Sequence, residues 1–294
     1  MKKYFIIFFL TFIVALPDCY AQYNVGTTGL LNMPTADMQR DKTVLIGGSF
    51  LDKHTSPARW HYDTFNYYFN ITLFPWLEVA YDLTLFKALP YPDGHWVPRT
   101  YGKFVNQDRN FAVRIRIWKE GDWKWWMPQI VIGGNDAIHN SVSGNKIKPI
   151  KGYGNGFQNR YYLVLTKHFD WEGIGQLGAH LSYVYNERSD YHINAPAVGA
   201  DLKFNVLDTN ERLSWQKVLN GLDVMMEFYP ANNQGVSDLK RKYGKEPSRG
   251  QHLGIWDINI GGSYSFLGDK INLYSEFYGC RYFSGGVMFK LHLK

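Results

Sequence analysis

One stretch decides the fold: residues 76–86, WLEVAYDLTLF, in which apolar and polar side chains alternate one by one. Successive side chains of a β-strand point to opposite faces of the sheet. Leu77, Val79 and Tyr81 therefore share one face, while Glu78 and Asp82 share the other. The pattern predicts a strand with an apolar face and a charged face.

The same period of two recurs along the chain, in residues 68–73, 111–117, 177–186, 222–229, 256–266 and 283–293. No helical period competes over a comparable length. These stretches span six to eleven residues, and the longer ones have the length of a tilted membrane strand, about nine to eleven residues. A soluble β-sandwich is the alternative, but its strands average nearer five or six residues. We predict an all-β protein, an antiparallel transmembrane β-barrel of about twelve strands.

The connections between these stretches alternate in length. Short links occur at residues 74–75, 120–123 and 267–269, and long ones at 87–108, 135–157 and 230–251. Outer-membrane barrels have short periplasmic turns and longer outer loops. Aromatic residues flank the short links, where membrane barrels carry their interfacial girdle. They are Phe74, Trp76, Trp118, Trp123, Trp125, Trp126, Phe169 and Trp171.

The composition and the N-terminus predict an exported protein. Of the 294 residues, 45% are hydrophobic and 17% aromatic, and two cysteines are too few for a disulfide scaffold or a cysteine-rich zinc site. Lys2 and Lys3 precede an apolar run that ends at Pro17, which predicts a signal peptide over residues 1–21. A membrane helix is the alternative, but the run is too short for one. We expect residues 22–42 to form an irregular segment, a candidate plug, and residues 43–294 to form a barrel in the outer membrane.

The polar strand faces would meet inside such a barrel. Charges of both signs suggest either salt bridges that fill the lumen, pairing Arg114 or Arg116 with carboxylates across it, or a conduit for a hydrophilic polymer. In a conduit, Tyr68, Tyr274 and Tyr278 would stack on sugar faces. The predicted lumen-lining residues are Glu78, Asp82, Arg114, Arg116, His180, Asp201, Lys203, Asp223, Glu227, Asp257 and Glu276.

No catalytic motif stands out in the sequence. The chain contains no GxSxG, HExxH or GxxxxGK[ST] string. His139, Asn140 and Ser141 are the residue types of a barrel phospholipase, but they are adjacent in one loop, whereas a triad must converge in space. We therefore expect no catalytic residues, no cofactor, no metal and no enzymatic activity. A barrel enzyme that acts on lipid or glycan, and an exported carbohydrate-binding sandwich, are the alternatives.

Two islands of sequence carry a family resemblance. Residues 26–38, GTTGLLNMPTADM, and residues 132–136 with 159–169 resemble elements of YjbH-like proteins. The residues that match are Gly29, Pro34, Thr35, Ala36, Met38, Asp136 and Lys167. The resemblance implies an outer-membrane barrel tied to exopolysaccharide production or export, with no known active site to transfer. The partners it implies are outer-membrane lipid, a polysaccharide and envelope export or assembly proteins, with no nucleic acid.

Overall fold

A computed structural model describes most of the predicted strands and few of the long loops. The described residues are 24, 26–52, 64–87, 104–135, 139–140, 147–148, 160–185, 193–206, 214–230 and 256–293. The predicted signal peptide (residues 1–21), Asp136 and Ser141 lie outside them, and the side chains of His139 and Asn140 are not described.

Fourteen strands and one short helix make up the described structure. The strands are β1 (Thr43–Leu51), β2 (Thr64–Phe74), β3 (Leu77–Lys87), β4 (Phe104–Trp118), β5 (Gln129–Asn135), β6 (His139–Asn140), β7 (Ile147–Lys148), β8 (Arg160–Trp171), β9 (Gly175–Tyr185), β10 (Asn194–Phe204), β11 (Leu222–Pro230), β12 (Trp256–Phe266), β13 (Ile271–Tyr278) and β14 (Tyr282–His292). The helix, α1 (Ser214–Leu219), lies between β10 and β11. Among the described residues, no helix is long and apolar enough to cross a membrane.

Twelve of these strands form one closed antiparallel barrel, and β6 pairs only with β7. Each barrel strand pairs with its neighbours in chain order, and β1 closes the sheet on β14 with Thr43 opposite His292. Closure leaves no strand edge with unpaired backbone groups. The predicted fold is confirmed, and the β-sandwich alternative is excluded.

The barrel has apolar side chains on its outer surface and polar side chains inside, which is the reverse of a soluble protein. Phe111 and Ile117 on β4 are 62% and 56% exposed, whereas Arg114 between them is fully buried. The same contrast holds on β2, where Phe69 is exposed and Asn70 is buried. An apolar exterior around a polar interior is the arrangement that a lipid bilayer requires.

The two ends of the barrel differ. The turns after β2, β8 and β12 span residues 75–76, 172–174 and 267–270, and β1 begins and β14 ends at this same end. Exposed aromatic side chains cluster there, including Trp76, Trp123, Trp125 and Trp171. By the usual orientation of such barrels, this end faces the periplasm.

Candidate functional site inside the barrel

A stretch of chain before β1 lies inside the barrel. We call residues 24 and 26–39 the inner segment. Leu30, Met33 and Ala36 have at most 2% of their surface exposed. The inner segment forms hydrogen bonds with side chains of β2, β3, β8, β11 and β13, which face the lumen from different sides. The candidate site is therefore the contact between this segment and the wall.

The inner segment folds back on itself before it meets the wall. The backbone N–H of Leu30 donates to the carbonyl of Met33 (2.9 Å), and Gly29 pairs with Pro34 in an isolated bridge. Gly26 has a φ of 81° and lies so close to Tyr68 that an added Cβ would be 2.5 Å from that ring. A residue with a side chain would be both strained and obstructed there.

Glu227 on β11 binds the tip of this turn. Its carboxylate accepts the consecutive backbone N–H groups of Leu31 (3.2 Å), Asn32 (2.9 Å) and Met33 (2.9 Å). Asn259 on β12 donates a further bond of 2.8 Å. A carboxylate that accepts several backbone N–H groups is held as an anion-binding turn holds its ligand. Here the segment supplies the donors and the wall supplies the acceptor.

Glu276 on β13 binds two asparagine side chains of the same turn. The Asn24 amide donates to Oε2 at 2.7 Å, and the Asn32 amide donates to Oε1. Because the backbone of Asn32 also bonds Glu227, this one residue joins two wall carboxylates. All the hydrogen bonds described for Glu276 come from the inner segment.

Glu78 and Arg114 bind the segment as an ion pair. The guanidinium Nη1 lies 3.0 Å from Glu78 Oε2, and both side chains are fully buried. Glu78 accepts the backbone N–H and the hydroxyl of Thr28, while Arg114 donates to the carbonyls of Thr35 and Asp37. The pair joins residues directly opposite on the adjacent strands β3 and β4. The prediction that Arg114 pairs with a carboxylate across the lumen is therefore wrong.

Asp37 anchors the end of the segment near the short turns. Its carboxylate accepts a bond from Gln129 (2.5 Å) and lies 3.3 Å from His168 Nε2. Burial alone would raise the pKa of Asp37, but the adjacent imidazoles of His168 and His180 and the ammonium of Lys203 lower it below its usual value. Asp37 is thus held as an anion.

A chain of three wall side chains passes beside Asp37. Thr166 Oγ1 lies 2.9 Å from His180 Nδ1, and His180 Nε2 lies 2.5 Å from Asp201 Oδ1. The backbone N–H of Ala36 donates to the same threonine hydroxyl at 2.8 Å. Hydroxyl, imidazole and carboxylate thus lie in the order that nucleophilic catalysis uses, beneath the inner segment.

Glycines in the wall make room for the apolar side chains of the segment. A Cβ added at Gly199 on β10 would overlap Leu30 Cδ1 and lie 3.2 Å from Met33 Sδ. One added at Gly261 on β12 would lie 2.8 Å from Leu31 Cδ2. The segment is therefore fitted to the wall by shape as well as by hydrogen bonds.

The predicted lumen-lining residues lie on the inward face of the strands. Nine of the eleven are buried, and Arg116 and Lys203 are half-buried. Those that form hydrogen bonds with the inner segment are Glu78, Arg114, Glu227 and Glu276, and His180 Nδ1 lies 3.8 Å from Asp37 Oδ2. Of the family-like residues, five belong to the inner segment, Lys167 pairs with Glu120 at 2.6 Å on the wall, and Asp136 is outside the described residues.

Several residues of the site are not among those predicted from the sequence. They are Asn24, Thr28, Asn32, Asp37, Asn70, Gln129, Thr166, His168 and Asn259. Asn70, Thr166 and Asn259 lie on inward faces that the period of two identifies, so attention to neutral polar residues as well as charges would have found them. In the part of the chain that is described, no three His, Cys, Asp or Glu side chains are grouped to hold a metal ion.

Comparisons with known proteins agree with this architecture. The family described as "Exopolysaccharide biosynthesis protein YbjH" matches residues 21–190, which include the inner segment and β1 to β9. No curated protein matches the chain.

Solved structures similar to the chain are outer-membrane proteins. Omp33 of Acinetobacter baumannii is 8% identical, over 86% of this chain and 99% of that one, with a TM-score of 0.39. LpxR of Salmonella typhimurium is 12% identical, over 84% of this chain and 99% of that one, with a TM-score of 0.35. The outer membrane phospholipase of Salmonella typhi is 12% identical, over 85% of this chain and 90% of that one, and its TM-score is also 0.35. With its closed sheet and apolar exterior, the chain is an outer-membrane β-barrel.

The prediction that the chain is not an enzyme is wrong as drawn. A phospholipase is among the similar barrels, so an outer-membrane barrel does not exclude enzymatic activity. The physical reason is that a fold does not determine chemistry, which depends on a few side chains placed on it. The fold also brings together the hydrogen-bonded side chains of Thr166, His180 and Asp201, which no catalytic motif in the sequence identifies. The lack of such motifs therefore does not exclude a catalytic group.

Proposed function

The chain belongs to the YjbH family of exopolysaccharide biosynthesis proteins, as its sequence islands predict, and from this premise we propose that its barrel assists the export or assembly of an exopolysaccharide. The inner segment acts as a plug in this proposal. The lumen becomes a path for polymer only when the plug moves. Envelope export or assembly proteins would act with the barrel at its periplasmic end.

One observation carries the proposal: the lumen wall binds a separate stretch of chain through polar side chains. Glu78, Glu227 and Glu276 all accept hydrogen bonds from the inner segment. A barrel that is stabilised only by its own wall has no need of such a ligand. A surface of carboxylates, amides and tyrosines also suits sugar hydroxyls, which donate and accept hydrogen bonds in the same way.

The forces that hold the plug are compatible with its release. A hydrogen bond within the protein replaces one with water, so each contributes only about 0.5–1.5 kcal/mol net. Burial of Leu30, Leu31 and Met33 contributes about 1.5–3 kcal/mol for each side chain. Ordering the backbone of the segment opposes these contributions by about 1–2 kcal/mol per residue. The net free energy that seats the plug is therefore only their difference, which binding of a polymer or a partner on the periplasmic side can offset.

A disulfide that locks the plug tests this proposal. The Ala36 N–H lies 2.8 Å from Thr166 Oγ1, so the two positions are neighbours, and Ala36→Cys with Thr166→Cys, combined with Cys280→Ser, is a candidate disulfide whose formation is checked by the loss of both free thiols. In cells we expect the oxidised double variant to trap polysaccharide in the periplasm, and a reductant to restore its release. Thr166→Cys alone with Cys280→Ser is the control. Normal release from a fully oxidised variant would contradict the proposal.

The hydrogen-bonded chain of Thr166, His180 and Asp201 favours a second candidate function. If the plug leaves, Thr166 is the nucleophile, His180 the base and Asp201 the group that orients it, and an ester of a lipid or glycan is the substrate class. Purified protein in micelles would be assayed against such substrates. Turnover that is lost in Thr166→Val but retained in Thr166→Ser would establish this function over simple transport.

A further inference from the structure

We propose that the lumen accepts a glycan with free amino groups and excludes polyanionic glycans. This inference rests on the proposed export function and names the chemical class of its polymer. The inference depends on which sector of the wall carries an excess of negative charge once the plug moves.

The acidic side chains are concentrated in one sector of the wall. The inward faces of β11, β12 and β13 carry Asp223, Glu227, Asp257 and Glu276. These three strands contain no lysine or arginine. Two cations from neighbouring parts of the wall reach this sector: Lys203 on β10 lies opposite Asp223 near the short-turn end, and Arg160 on β8 donates to the Tyr229 hydroxyl of β11 at 2.7 Å. Four carboxylates against two cations leave the sector with an excess of negative charge. The buried guanidinium of Arg114 lies on β4, where it is engaged by Glu78.

The plug satisfies this sector with uncharged N–H donors. Glu276 receives amide hydrogens from Asn24 and Asn32, and Glu227 receives three backbone N–H groups and the Asn259 amide. An ammonium group offers three N–H donors and a positive charge. A sugar amine can therefore take the place of the asparagine amides, with a stronger, charge-assisted hydrogen bond.

Asp223 provides an independent sign of a missing donor. Its side chain is 2% exposed and faces the lumen from the same strand face as Glu227. Neither of its carboxylate oxygens accepts a hydrogen bond from the described residues. Buried polar groups are normally paired, so an unpaired one in a binding path indicates a ligand that supplies the partner.

Aromatic rings next to Glu276 suit a sugar. Tyr274 and Tyr278 lie two residues before and after it on β13, so all three share the inward face. The Tyr274 ring lies against Gly286 of β14, where an added Cβ would be 2.7 Å from Cζ. Tyr274 is buried while the plug is seated, so its ring can meet the apolar face of a sugar only after the plug has moved.

Charge then decides between classes of glycan. Once water replaces the plug, carboxylates are ionised at neutral pH. In a narrow lumen with low-dielectric walls, their field attracts cations and repels anions over the whole passage. A polyuronate would meet like charges, whereas a polymer of amino sugars would meet opposite ones.

The test uses the full-length protein with a loosened plug. Leu30→Asn with Leu31→Asn removes the apolar anchors without changing any charge, and Leu267→Asn, on an exposed turn residue with a φ of 52°, is the matched control. In planar bilayers we expect the double variant to form a cation-selective pore. Glucosamine oligomers should block it at about a tenfold lower concentration than N-acetylglucosamine oligomers, and galacturonate oligomers least.

Wall variants assign that preference to the acidic sector. In the loosened background, Asp223→Asn with Glu276→Gln should reduce the preference for glucosamine oligomers to about twofold. Glu172→Gln, on an exposed turn, should leave it unchanged. Equal block by all three oligomers, or strongest block by galacturonate, overturns the inference.

A second readout does not depend on a pore. In the full-length Ala36→Cys, Cys280→Ser protein, the new thiol lies at a fully buried position. Glucosamine oligomers that compete with the plug should raise the rate of thiol labelling by about fivefold, and galacturonate oligomers should not. No change with either oligomer overturns the inference. The cellular lock experiment is separate, so trapped polymer with no amine preference contradicts the inference but not the export function.

Discussion

Glu78 and Glu276 are both fully buried wall carboxylates that bind the inner segment, yet their surroundings differ. Glu78 also receives a guanidinium from the neighbouring strand and an amide from Asn70. Glu276 receives only the asparagine amides of the segment among its described hydrogen bonds. One carboxylate thus has partners in the wall as well as in the inner segment, while the other has partners only in the inner segment, which is the part of the chain that moves in our proposal.

This difference divides the lumen into two parts. The β3 and β4 side remains paired whether or not the segment is seated, because its charge partner is part of the sheet. The β11 to β13 side needs a donor from elsewhere. Variants on the first side should therefore affect folding of the barrel, and variants on the second side should affect seating of the segment.

The largest expected effect comes from Arg114→Met. It leaves Glu78 buried without its charge partner, which costs about 3–5 kcal/mol of folding stability. Urea unfolding in micelles and the heat-dependent shift on SDS gels measure this loss. The double variant with Glu78→Gln should recover most of it, and Arg281→Met, at an exposed residue, should change little. Equal stability of Arg114→Met and Arg281→Met would break the comparison.

Glu227→Leu should release the turn without unfolding the barrel. Three backbone N–H groups lose their acceptor, which costs about 2–4 kcal/mol of seating free energy. Faster labelling of the thiol in an Ala36→Cys, Cys280→Ser background measures the release, while the gel shift of the barrel stays normal. Glu172→Leu, on an exposed turn away from the inner segment, is the control. Loss of the folded gel band in Glu227→Leu would show that the two sides are not separable.

Gly199→Ala should have a smaller effect of the same kind. The added methyl group overlaps Leu30 and approaches Met33, so repacking costs about 1–3 kcal/mol of seating free energy. Leu30→Ala in the same chain makes room for the methyl group and should restore slow labelling of the Ala36→Cys thiol. Gly268→Asn, on an exposed turn whose φ is 66°, is the matched control.

Acid should loosen only the end of the segment at Asp37. The pKa of Asp37 is lowered in the folded protein. Its carboxylate therefore contributes fully to the free energy that seats the segment above the ordinary carboxyl pKa, and this contribution declines as the pH falls below that ordinary value. The groups that face it are His168, His180, Lys203 and the guanidinium of Arg114. Because a thiol reacts as its thiolate, the labelling rate of Ala36→Cys is divided at each pH by that of the exposed Cys280 thiol in the unsubstituted chain. This ratio should be constant from about pH 5 to 7 and rise below about pH 4. Asp37→Asn should remove this dependence.

Much of the wall was predictable because alternation is a local property. The period of two in residues 76–86 places Glu78 and Asp82 on the polar face without knowledge of any other strand. The same reasoning applies to Asp223, Glu227 and Glu276, and the strand lengths and links predict a closed barrel of about twelve strands. The irregular Gly-rich string before β1 also predicts a segment that is not part of the sheet.

The pairing of these residues was not predictable, because it depends on strand register and on the path of the inner segment. Local periodicity in the sequence is enough to identify which side chains face inward and to predict an outer-membrane barrel. The folded structure is needed to see that Arg114 pairs with Glu78, that Asn32 joins Glu227 to Glu276, and that His180 lies between Thr166 and Asp201. These contacts join residues far apart in the chain, and only closure of the barrel around the segment brings them within hydrogen-bonding distance.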